Sequence, residues 1–322
     1  MIKTIQFRNK EKENRRRTMN FDIYKDLKEA AGKSEVLTQE MLSGHTTFRV
    51  GGPADYFVAV KDAQAVQNVT ALCISKQIPY YILGNGSNIL AGDGGYRGVI
   101  IQFGKEMSDI EVLEDGTIRA QAGALMSKIA NAAYEKALGG FEFAAGIPGS
   151  IGGAMVMNAG AYGGEMKDVV NSVTVLTKEN EIRVLTNKEM EFGYRTSAVE
   201  KNGYIVLEVE LKLHEASREE IKEKMDDLKN RRITKQPLEF PSAGSTFKRP
   251  EGNFAGKLIE EAGLRGFGVG GAQVSEKHCG FVINREKATA KDVTELMNEV
   301  IKRVKENSGI ELEPEVKRLG EF

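Results

Sequence analysis

The chain has 322 residues, of which 41% are hydrophobic, and its 45 basic side chains nearly balance 46 acidic ones. The length predicts two or three domains with sizeable cores, and the balanced charge gives no basic field of the kind that binds nucleic acid. No apolar run approaches the ~20 residues that cross a bilayer. The three histidines are scattered along the sequence, which argues against a zinc site. Cys73 and Cys279 fit no metal spacing and are expected to be free thiols in a reducing cytoplasm.

The first 20 residues, MIKTIQFRNKEKENRRRTMN, are basic and polar. They lack the apolar core of a signal peptide. We expect a mobile tail, with Met19 as an alternative start. A nucleic-acid-binding arm is the other interpretation of these charges.

A helix and two strands are predicted next. The segment DAQAVQNVTALCISKQ (62–77) has apolar residues at helical spacing, and Pro79 is expected to end this helix. The residues on its apolar face are Val66, Val69, Cys73 and Ile74. YYIL (80–83) then predicts a short buried strand, and VIIQF (99–103) predicts a second strand.

The middle of the chain is rich in predicted hairpins. IEVLEDGTIRAQAG (110–123) predicts a hairpin with Asp115-Gly116 at its turn. ALMSKIANAAYEKALGG (124–140) predicts a helix that stops at Gly139. Another hairpin and a long alternating strand complete this region: VVNSVTVLTKENEIRVLT (169–186) and YIVLEVELKLHE (204–215).

The character of the sequence changes from Ala216 onwards. SREEIKEKMDDLKNRR (217–232) predicts a charged amphipathic helix, and a proline-containing loop follows at residues 236–245. A helix, a strand, a long helix and a short closing strand come next: FAGKLIEEAGL (254–264), CGFVIN (279–284), AKDVTELMNEVIKRVKENSG (290–309) and IELEPEVKRLGEF (310–322). This order predicts an α+β chain of about three units.

The first glycine-rich motif is GNGSN (84–88), directly after the predicted strand 80–83. The dinucleotide fingerprint requires glycine at position 89, where Ile89 stands, and the Gly-Lys-Ser/Thr of a P-loop is absent. Two interpretations remain open. Consecutive backbone N–H groups can form an anion nest to which Ser87 and Asn88 add side-chain donors, or the segment is a plain glycine turn.

The second glycine-rich motif is FAAGIPGSIGGAMVMNAGAYGGE (143–165). A nucleophile elbow would need glycine two residues before Ser150, where Pro148 stands, so a hydrolase is disfavoured. Gly152 and Gly153 leave no side chain in the way of a flat ligand. Because a long run of small residues is costly in backbone entropy, a ligand is favoured over a purely structural loop.

Two further motifs carry single polar residues in constrained settings. In FGYRTSA (192–198), Arg195 can hold a carboxylate in a fork, although a lone arginine is more often a surface ion pair. In KQPLEFPSAGSTFKRP (235–250), two prolines lead to Ser245. Without a neighbouring histidine this serine is a poor nucleophile, but it can give up a proton that a cationic relay replaces. The alternative is an ordinary turn.

The last motif is the acidic segment ELEPEVKRLG (311–320). Glu313 and Glu315 are two positions apart and are expected on one face of an extended strand. Pro314 indicates an edge strand. A solvated acidic strand without a chemical role is the simpler interpretation.

Taken together, these segments resemble the UDP-N-acetylenolpyruvoylglucosamine reductase family. The resemblance covers about residues 20–322, and six motifs occur in the order typical of the family: FRVGGPAD (48–55), GNGSN, AGIPGSIGGA with NAGAYGGE, GYRTS, KQP with SAGSTFK, and EPEV. Each motif alone is modest, but six in register are specific.

The resemblance implies an α+β fold that binds FAD non-covalently. The FAD-binding fold would be of the vanillyl-alcohol-oxidase/PCMH type with two subdomains, followed by a C-terminal α/β substrate-binding domain. The implied divisions are a mobile tail at 1–20, a first FAD-binding subdomain at 21–103 joined by a C-terminal strand at 309–322, a second subdomain at 104–215, and the substrate-binding domain at 216–308.

The resemblance also implies that the two glycine-rich loops line the FAD pyrophosphate and ring. The implied cofactor-binding residues are Gly84, Asn85, Gly86, Ser87, Asn88, Gly146, Ile147, Pro148, Gly149, Ser150, Gly152, Gly153, Asn158, Ala159 and Gly160. His45 is expected to be structural or solvent-facing, since this family forms no covalent flavin–histidine link.

The implied activity is that of a UDP-N-acetylmuramate dehydrogenase. NADPH reduces the flavin, and hydride then passes from flavin N5 to the methylene carbon of an enolpyruvyl ether on UDP-N-acetylglucosamine. A proton completes the lactyl ether of UDP-N-acetylmuramate, a peptidoglycan precursor.

Three residues match the implied catalytic roles. Arg195 faces the substrate carboxylate, which gains charge in the transition state. Ser245 donates the proton, with water or Lys248 as a relay. Glu315, which directly precedes the Val-Lys of the closing strand, is preferred over Glu313. Because the carboxylates of Glu315 and of the substrate would repel each other, Glu315 is expected to have a raised pKa and to be protonated when substrate binds.

The remaining implied contacts are donors for anionic UDP: Arg232, Lys235, Lys248, Arg265 and His278. The short spacing from Arg195 to Ser245 leaves little room for an extra loop over the substrate, so the chain resembles the short-loop (type II) branch.

Two other functions stay open at this point. One is a flavin-dependent oxidase that uses oxygen, and the other is a UDP-sugar-binding module without redox chemistry. In each case the expected partners are small molecules, with no metal, nucleic acid or membrane, and a monomer is the expected state.

Overall fold

A computed structural model of the protein describes residues 22–322. The predicted tail at 1–20 lies outside the described residues. Residues 22–31 form helix α1. Within the described part of the chain, none of the helices has both the length and the apolar composition needed to cross a membrane.

The first sheet is built mainly from parallel pairs. Its region contains strands β1 (Glu35–Met41), β2 (Pro53–Ala59), β3 (Tyr80–Leu83), β4 (Ile89–Ala91) and β5 (Tyr96–Gln102), with helix α2 (Ala63–Ser75) between β2 and β3. The sheet order is β1-β2-β5-β3, in which β5 pairs in parallel with both β2 and β3. Asp62 caps α2 by accepting the Ala65 N–H at 2.7 Å, so this helix begins where its capping residue predicts.

Two predictions for this region are corrected. Helix α2 ends at Ser75 rather than at Pro79, and Ile74 is exposed instead of sharing the apolar face. Strand β3 lies at the sheet edge and buries only Leu83 fully. An apolar run such as YYIL does not by itself distinguish a central strand from an edge strand.

The second sheet is antiparallel and five-stranded. Its strands are β6 (Ile110–Val112), β7 (Thr117–Gln121), β11 (Val170–Leu176), β12 (Ile182–Thr186) and β13 (Ile205–Lys212), in the order β12-β11-β13-β7-β6. Shorter elements connect or flank these strands: α3 (Met126–Glu135), β8 (Leu138–Gly139), α4 (Ile151–Val156), β9 (Gly160–Ala161), β10 (Gly164–Glu165), α5 (Ala198–Asn202) and β14 (His214–Glu215). The predicted hairpin with Asp115-Gly116 at its turn is confirmed as β6–β7.

Helix α3 ends earlier than its sequence predicts. Its last helical residue is Glu135, and Ala137 then adopts a left-handed conformation with φ of 56°. Gly139 is paired with His214 in a short strand instead of stopping the helix. The chain therefore reverses at a non-glycine residue, which sequence reasoning assigns to glycine by default.

The third region combines helices with a small antiparallel sheet. Its elements are α6 (Arg218–Lys235), α7 (Ala255–Glu261), β15 (Gly268–Val269), β16 (Ala272–Val274), β17 (Val282–Asn284), α8 (Ala290–Ser308) and β18 (Lys317–Leu319). Strand β18 leaves this region and pairs in parallel with β4. The predicted charged amphipathic helix is confirmed as α6: Ile221 is buried, Met225, Leu228 and Arg232 are half-buried at helical spacing, and its other residues are exposed.

The described residues form three apolar cores, of which a smaller one packs Phe57 and Ile100 of the first sheet against Leu319. Residues of the first and second sheets share one core, which includes Val58, Ile101, Ile118 and Val173. The second core lies beneath α8 and takes in Phe48 and Leu90 from the first region. The glycine-rich loops and the segments bearing Arg195 and Glu315 are thus attached to packed elements.

Candidate active site

The two glycine-rich loops lie side by side. The Asn85 Nδ2 donates a hydrogen bond to the Pro148 carbonyl at 2.5 Å. A Cβ at Gly84 would stand 2.4 Å from the Ser150 Oγ, and a Cβ at Gly149 would stand 3.5 Å from the Ser87 Oγ. Glycine at position 84 therefore leaves room for the Ser150 side chain, whereas a Cβ at position 149 would make an ordinary contact with Ser87.

The first loop has the donors that an anion requires. Among the described residues, no backbone hydrogen bond is donated by the N–H groups of residues 85–88. Unpaired amides at a half-buried turn are costly, and consecutive N–H groups of this kind suit a diphosphate. The chemistry of this donor set therefore fits the pyrophosphate of FAD.

Gly86 is expected to be essential for the shape of this loop. Its φ is +62°, and an added Cβ would lie 2.1 Å from the His45 carbonyl oxygen. Gly86→Ala should therefore incur both the left-handed penalty, about 1–2 kcal/mol, and a collision with backbone. The expected result is protein purified with a lower FAD content, measured from the ratio of flavin to protein absorbance.

Gly32→Ala is the matched control for this prediction. Gly32 also has a positive φ, +59°, but an added Cβ would meet nothing within 4 Å. This variant should lose some thermal stability and keep its flavin. Equal FAD content in Gly86→Ala and Gly32→Ala would contradict a cofactor role for the 84–88 loop.

Two cavities adjoin the loops. One of about 300 Å³ is lined by Gly84, Ser150, Gly152 and Gly153, together with the edge strand β3. The other, of about 1020 Å³, is lined by Asn85, Gly146, Pro148 and residues of α6. The larger cavity includes Asn85 in its lining and the smaller one includes Gly84, so both adjoin the first glycine-rich loop.

Arg232 lies in the larger of these cavities and away from the other predicted substrate residues. A Cβ at Gly146 would stand 3.0 Å from the Arg232 Cδ, and burial lowers the pKa of the guanidinium from its ordinary value. Arg232 therefore lies near the second glycine-rich loop, and its predicted contact with the substrate stays a prediction. His45 lines the same cavity, with its Nε2 2.9 Å from Glu40 Oε1.

Ser245 and Glu315 are brought together by paired backbone segments. The Glu315 N–H donates to the Thr246 carbonyl at 2.8 Å, and the Lys248 N–H donates to the Glu313 carbonyl at 2.8 Å. Thr246 is fully buried and its Oγ1 accepts the Val282 N–H. Ser245, next to this anchored residue, is exposed to the cleft.

This pairing corrects the expected relation of the two glutamates. Glu313 and Glu315 do not share a face: Glu313 is exposed and forms an ion pair with Lys248, whereas Glu315 is buried. The regular strand begins only at Lys317. Lys248 is therefore held beside the site by Glu313.

Arg195 meets Glu315 directly. The Arg195 Nε lies 2.9 Å from the Glu315 Oε1, with side chains 24% and 10% exposed. Burial raises the pKa of the Glu315 carboxyl above its ordinary value, and the neighbouring guanidinium opposes this rise without cancelling it. The direction agrees with the prediction, and the largest cause is the burial of the carboxyl.

A cleft of about 530 Å³ contains these groups. It is lined by Arg195, Ser245 and Glu315 and by the predicted substrate residues Arg265 and His278. Burial lowers the pKa of His278, whose Nδ1 accepts the Gly280 N–H at 3.1 Å. A neutral His278 keeps its Nε2–H as a single donor. Lys235 is exposed, near enough to His278 to contribute to that lowering of pKa.

The first glycine-rich loop reaches this cleft through Asn88. Its Nδ2 donates to the Glu315 carbonyl at 3.2 Å, and its carbonyl accepts the Lys317 N–H at 2.9 Å. By contrast, Asn158, Ala159 and Gly160 make contacts within the protein. Their predicted role in contacting a cofactor stays a prediction.

Sequence reasoning missed several residues at this cleft. Tyr194, Arg249, Phe254, Lys257 and Lys277 also line it. Tyr194 accepts the Arg249 N–H at 3.0 Å, and the Arg249 guanidinium lies 4.0 Å from the centre of the Phe254 ring. The adjacent basic residues Lys248 and Arg249, shortly after Ser245, were the available signal for Arg249.

Comparison with known proteins defines the class first. The family described as FAD binding domain matches residues 54–186, and the family described as UDP-N-acetylenolpyruvoylglucosamine reductase, C-terminal domain, matches residues 236–319. The protein is therefore an FAD-binding oxidoreductase, and the predicted fold class is confirmed.

The chain belongs to the UDP-N-acetylenolpyruvoylglucosamine reductase family. It is 54% identical to the family member from Clostridioides difficile (strain 630) over 94% of this chain and 99% of the relative. It is 50% identical to the member from Agathobacter rectalis, over 94% of this chain and 100% of the relative. The crystal structure of the Thermus caldophilus enzyme superimposes with a TM-score of 0.76 at 36% identity, covering 89% of this chain and 99% of that one.

Proposed function

We propose that the protein uses NADPH and FAD to reduce the enolpyruvyl ether of UDP-N-acetylglucosamine to UDP-N-acetylmuramate. The observation that carries this proposal is the convergence of Arg195, Ser245 and Glu315 in one cleft next to the glycine-rich loops. In this proposal residues 21–215 hold the flavin, residues 216–308 hold the substrate, and the strand at 309–322 joins the two. The enzyme acts in the cytoplasm as a monomer.

The guanidinium of Arg195 binds the substrate carboxylate. FAD held by the loops at 84–88 and 146–160 would, when reduced by NADPH, be the source of hydride for the methylene carbon of the enolpyruvyl group. The double-bond electrons then move to the neighbouring carbon and into the carboxylate, where Arg195 stabilises the added charge. A cation already held in place by Glu315 needs little reorganisation at that moment.

Glu315 enters as a neutral acid and Ser245 supplies the proton. Because burial raises its pKa, Glu315 takes the protonated form beside an anionic substrate and donates a hydrogen bond to the enolate. Ser245 protonates the carbon, and water or Lys248 returns a proton to its oxygen. Hydride and proton together saturate the double bond, and no group leaves.

The cleft also suits the rest of the substrate. Its lining has five cationic and two acidic side chains. The cations are Arg195, Arg249, Lys257, Arg265 and Lys277, and the acidic residues are Glu260 and Glu315. Such an excess favours a diphosphate. We assign Arg265 and His278 to the UDP portion and propose that Lys235 approaches it from the rim.

An absorption spectrum with an NADPH titration tests the proposal. The pure protein should be yellow, NADPH should bleach the flavin band, and the enolpyruvyl sugar should restore it without oxygen. Peroxide formed on aeration with a small alcohol would instead identify an oxidase. Colourless protein that binds UDP-sugars would identify a binding module.

A further inference from the structure

The turn that bears Arg195 is strained and closed at its base. Gly193 and Thr196 are joined by two backbone hydrogen bonds of 3.0 and 3.4 Å, with Tyr194 and Arg195 between them. Arg195 has a φ of +55°, a conformation that a non-glycine residue keeps only where its surroundings hold it. Something outside the turn must therefore stabilise it.

Asn158 contacts the first residue of this turn, Gly193. It is 2% exposed, and its Nδ2 donates to the Gly193 carbonyl at 3.2 Å and to Glu165 Oε2 at 2.6 Å. Its Oδ1 accepts the Lys167 N–H at 2.9 Å. Both ends of the amide are thus occupied, which fixes the position of the side chain.

Ser197 directly follows Thr196, the last residue of the turn. It is fully buried, and its Oγ donates to the Val156 carbonyl at 3.0 Å. Val156 ends α4, the helix that follows the second glycine-rich loop, and Asn158 is two residues further along. Both sides of the turn are therefore tied to residues 156–158.

We propose that Asn158 and Ser197 are positioning residues that set the Arg195 guanidinium against Glu315 and the substrate carboxylate. This inference rests on the proposed role of Arg195. Neither residue lies in the lining of the Arg195 cleft, so both act through the turn. A displacement of about 1 Å at a reacting group can lower the rate as much as 10²-fold, which is the scale of effect that untethering the turn should have.

Asn158→Gly tests the first tether. Glycine accepts the φ of 44° at this position, so the variant removes the amide without adding backbone strain. We expect a fall of about 10- to 100-fold in kcat for the enolpyruvyl sugar. Ser197→Ala, at a residue outside the predicted cofactor-binding set, should keep the FAD content and the rate of flavin reduction by NADPH of the wild type. Ser197→Ala should change kcat in the same direction by a smaller factor.

Asn187→Ala is the matched control. The Asn187 Nδ2 also donates to two backbone carbonyls, those of Val170 at 2.7 Å and Lys167 at 2.9 Å, but it has no bond to the turn. A similar loss of thermal stability with wild-type kcat is expected. If Asn187→Ala lowers kcat as much as Asn158→Gly does, the effect is general destabilisation and the inference is wrong.

A double-mutant cycle separates this inference from the proposed function. Residues that act through Arg195 should cause no further loss in Arg195→Ala, so Asn158→Gly/Arg195→Ala and Ser197→Ala/Arg195→Ala should equal Arg195→Ala. Equal factors in both backgrounds would overturn the inference and leave the role of Arg195 intact. Full activity of Arg195→Ala would overturn the proposed function itself. If Asn158→Gly does not fold, the Ser197→Ala cycle decides.

Discussion

Ser245→Ala is expected to leave reduction of the flavin by NADPH nearly intact while lowering turnover of the enolpyruvyl sugar by about 10²–10⁴-fold, the usual contribution of a positioned proton donor. Ser245 is exposed to the cleft beside Arg195 and Glu315, next to the buried and hydrogen-bonded Thr246. Removing its hydroxyl should change no other contact of the site. Stopped-flow absorbance of the two half-reactions, measured separately, gives both rates.

The control for this variant is Ser308→Ala. The Ser308 hydroxyl bonds the Val304 carbonyl at the end of α8, so its loss affects a helix end far from Ser245 in the sequence. Wild-type rates are expected in both half-reactions. An equal loss of both half-reactions in Ser245→Ala would show that the serine supports flavin binding rather than proton transfer.

Arg195→Ala should lower kcat by about 10²–10³-fold, the range found when one preorganised donor to a developing charge is removed. The variant should also shift the dependence on pH. Burial already raises the pKa of Glu315 and Arg195 opposes that rise, so losing the guanidinium should move the pKa further upward. Because the protonated acid is the proposed active form, the decline in activity with rising pH should occur at higher pH than in the wild type.

Glu315→Gln checks the assignment of that titration. An amide of similar shape keeps a donor and an acceptor but cannot ionise, so the alkaline decline attributed to Glu315 should disappear. More activity should remain than in Glu315→Ala, which lacks the donor. An unchanged alkaline limb in Glu315→Gln would assign the titration to another group.

Local elements were predicted well because their signals are local. The hairpin at Asp115-Gly116 and the capped helix α8 have turn chemistry and apolar periodicity within a few residues. The placement of Arg195 with Ser245 and Glu315 was not available from spacing, and it came from the resemblance to a family.

The errors arose where tertiary contacts decide the outcome. The chain reverses at Ala137, whose left-handed conformation depends on its surroundings. The residue type alone does not predict such a reversal. Arg232 lies on α6, in which Ile221 is the buried residue. The sequence of this helix could not indicate which cavity the Arg232 side chain would line. Glu313 and Glu315 differ because pairing with residues 246–248 turns one carboxylate to solvent and the other inward.

Because β18 pairs in parallel with β4, the proposed reaction depends on residues that are far apart in the sequence. Lys317 and Leu319 pair with Ile89 and Ala91, which brings Glu315 to the 84–88 loop although it follows the third region in sequence. A fragment with the glycine-rich loops lacks Glu315, and a fragment with the C-terminal region lacks the loops. Neither fragment contains all the groups that the proposed reaction needs. A chimera that exchanges whole segments between such proteins can therefore keep both binding surfaces and still be inactive. Activity is expected only when β4 and β18 come from the same parent protein.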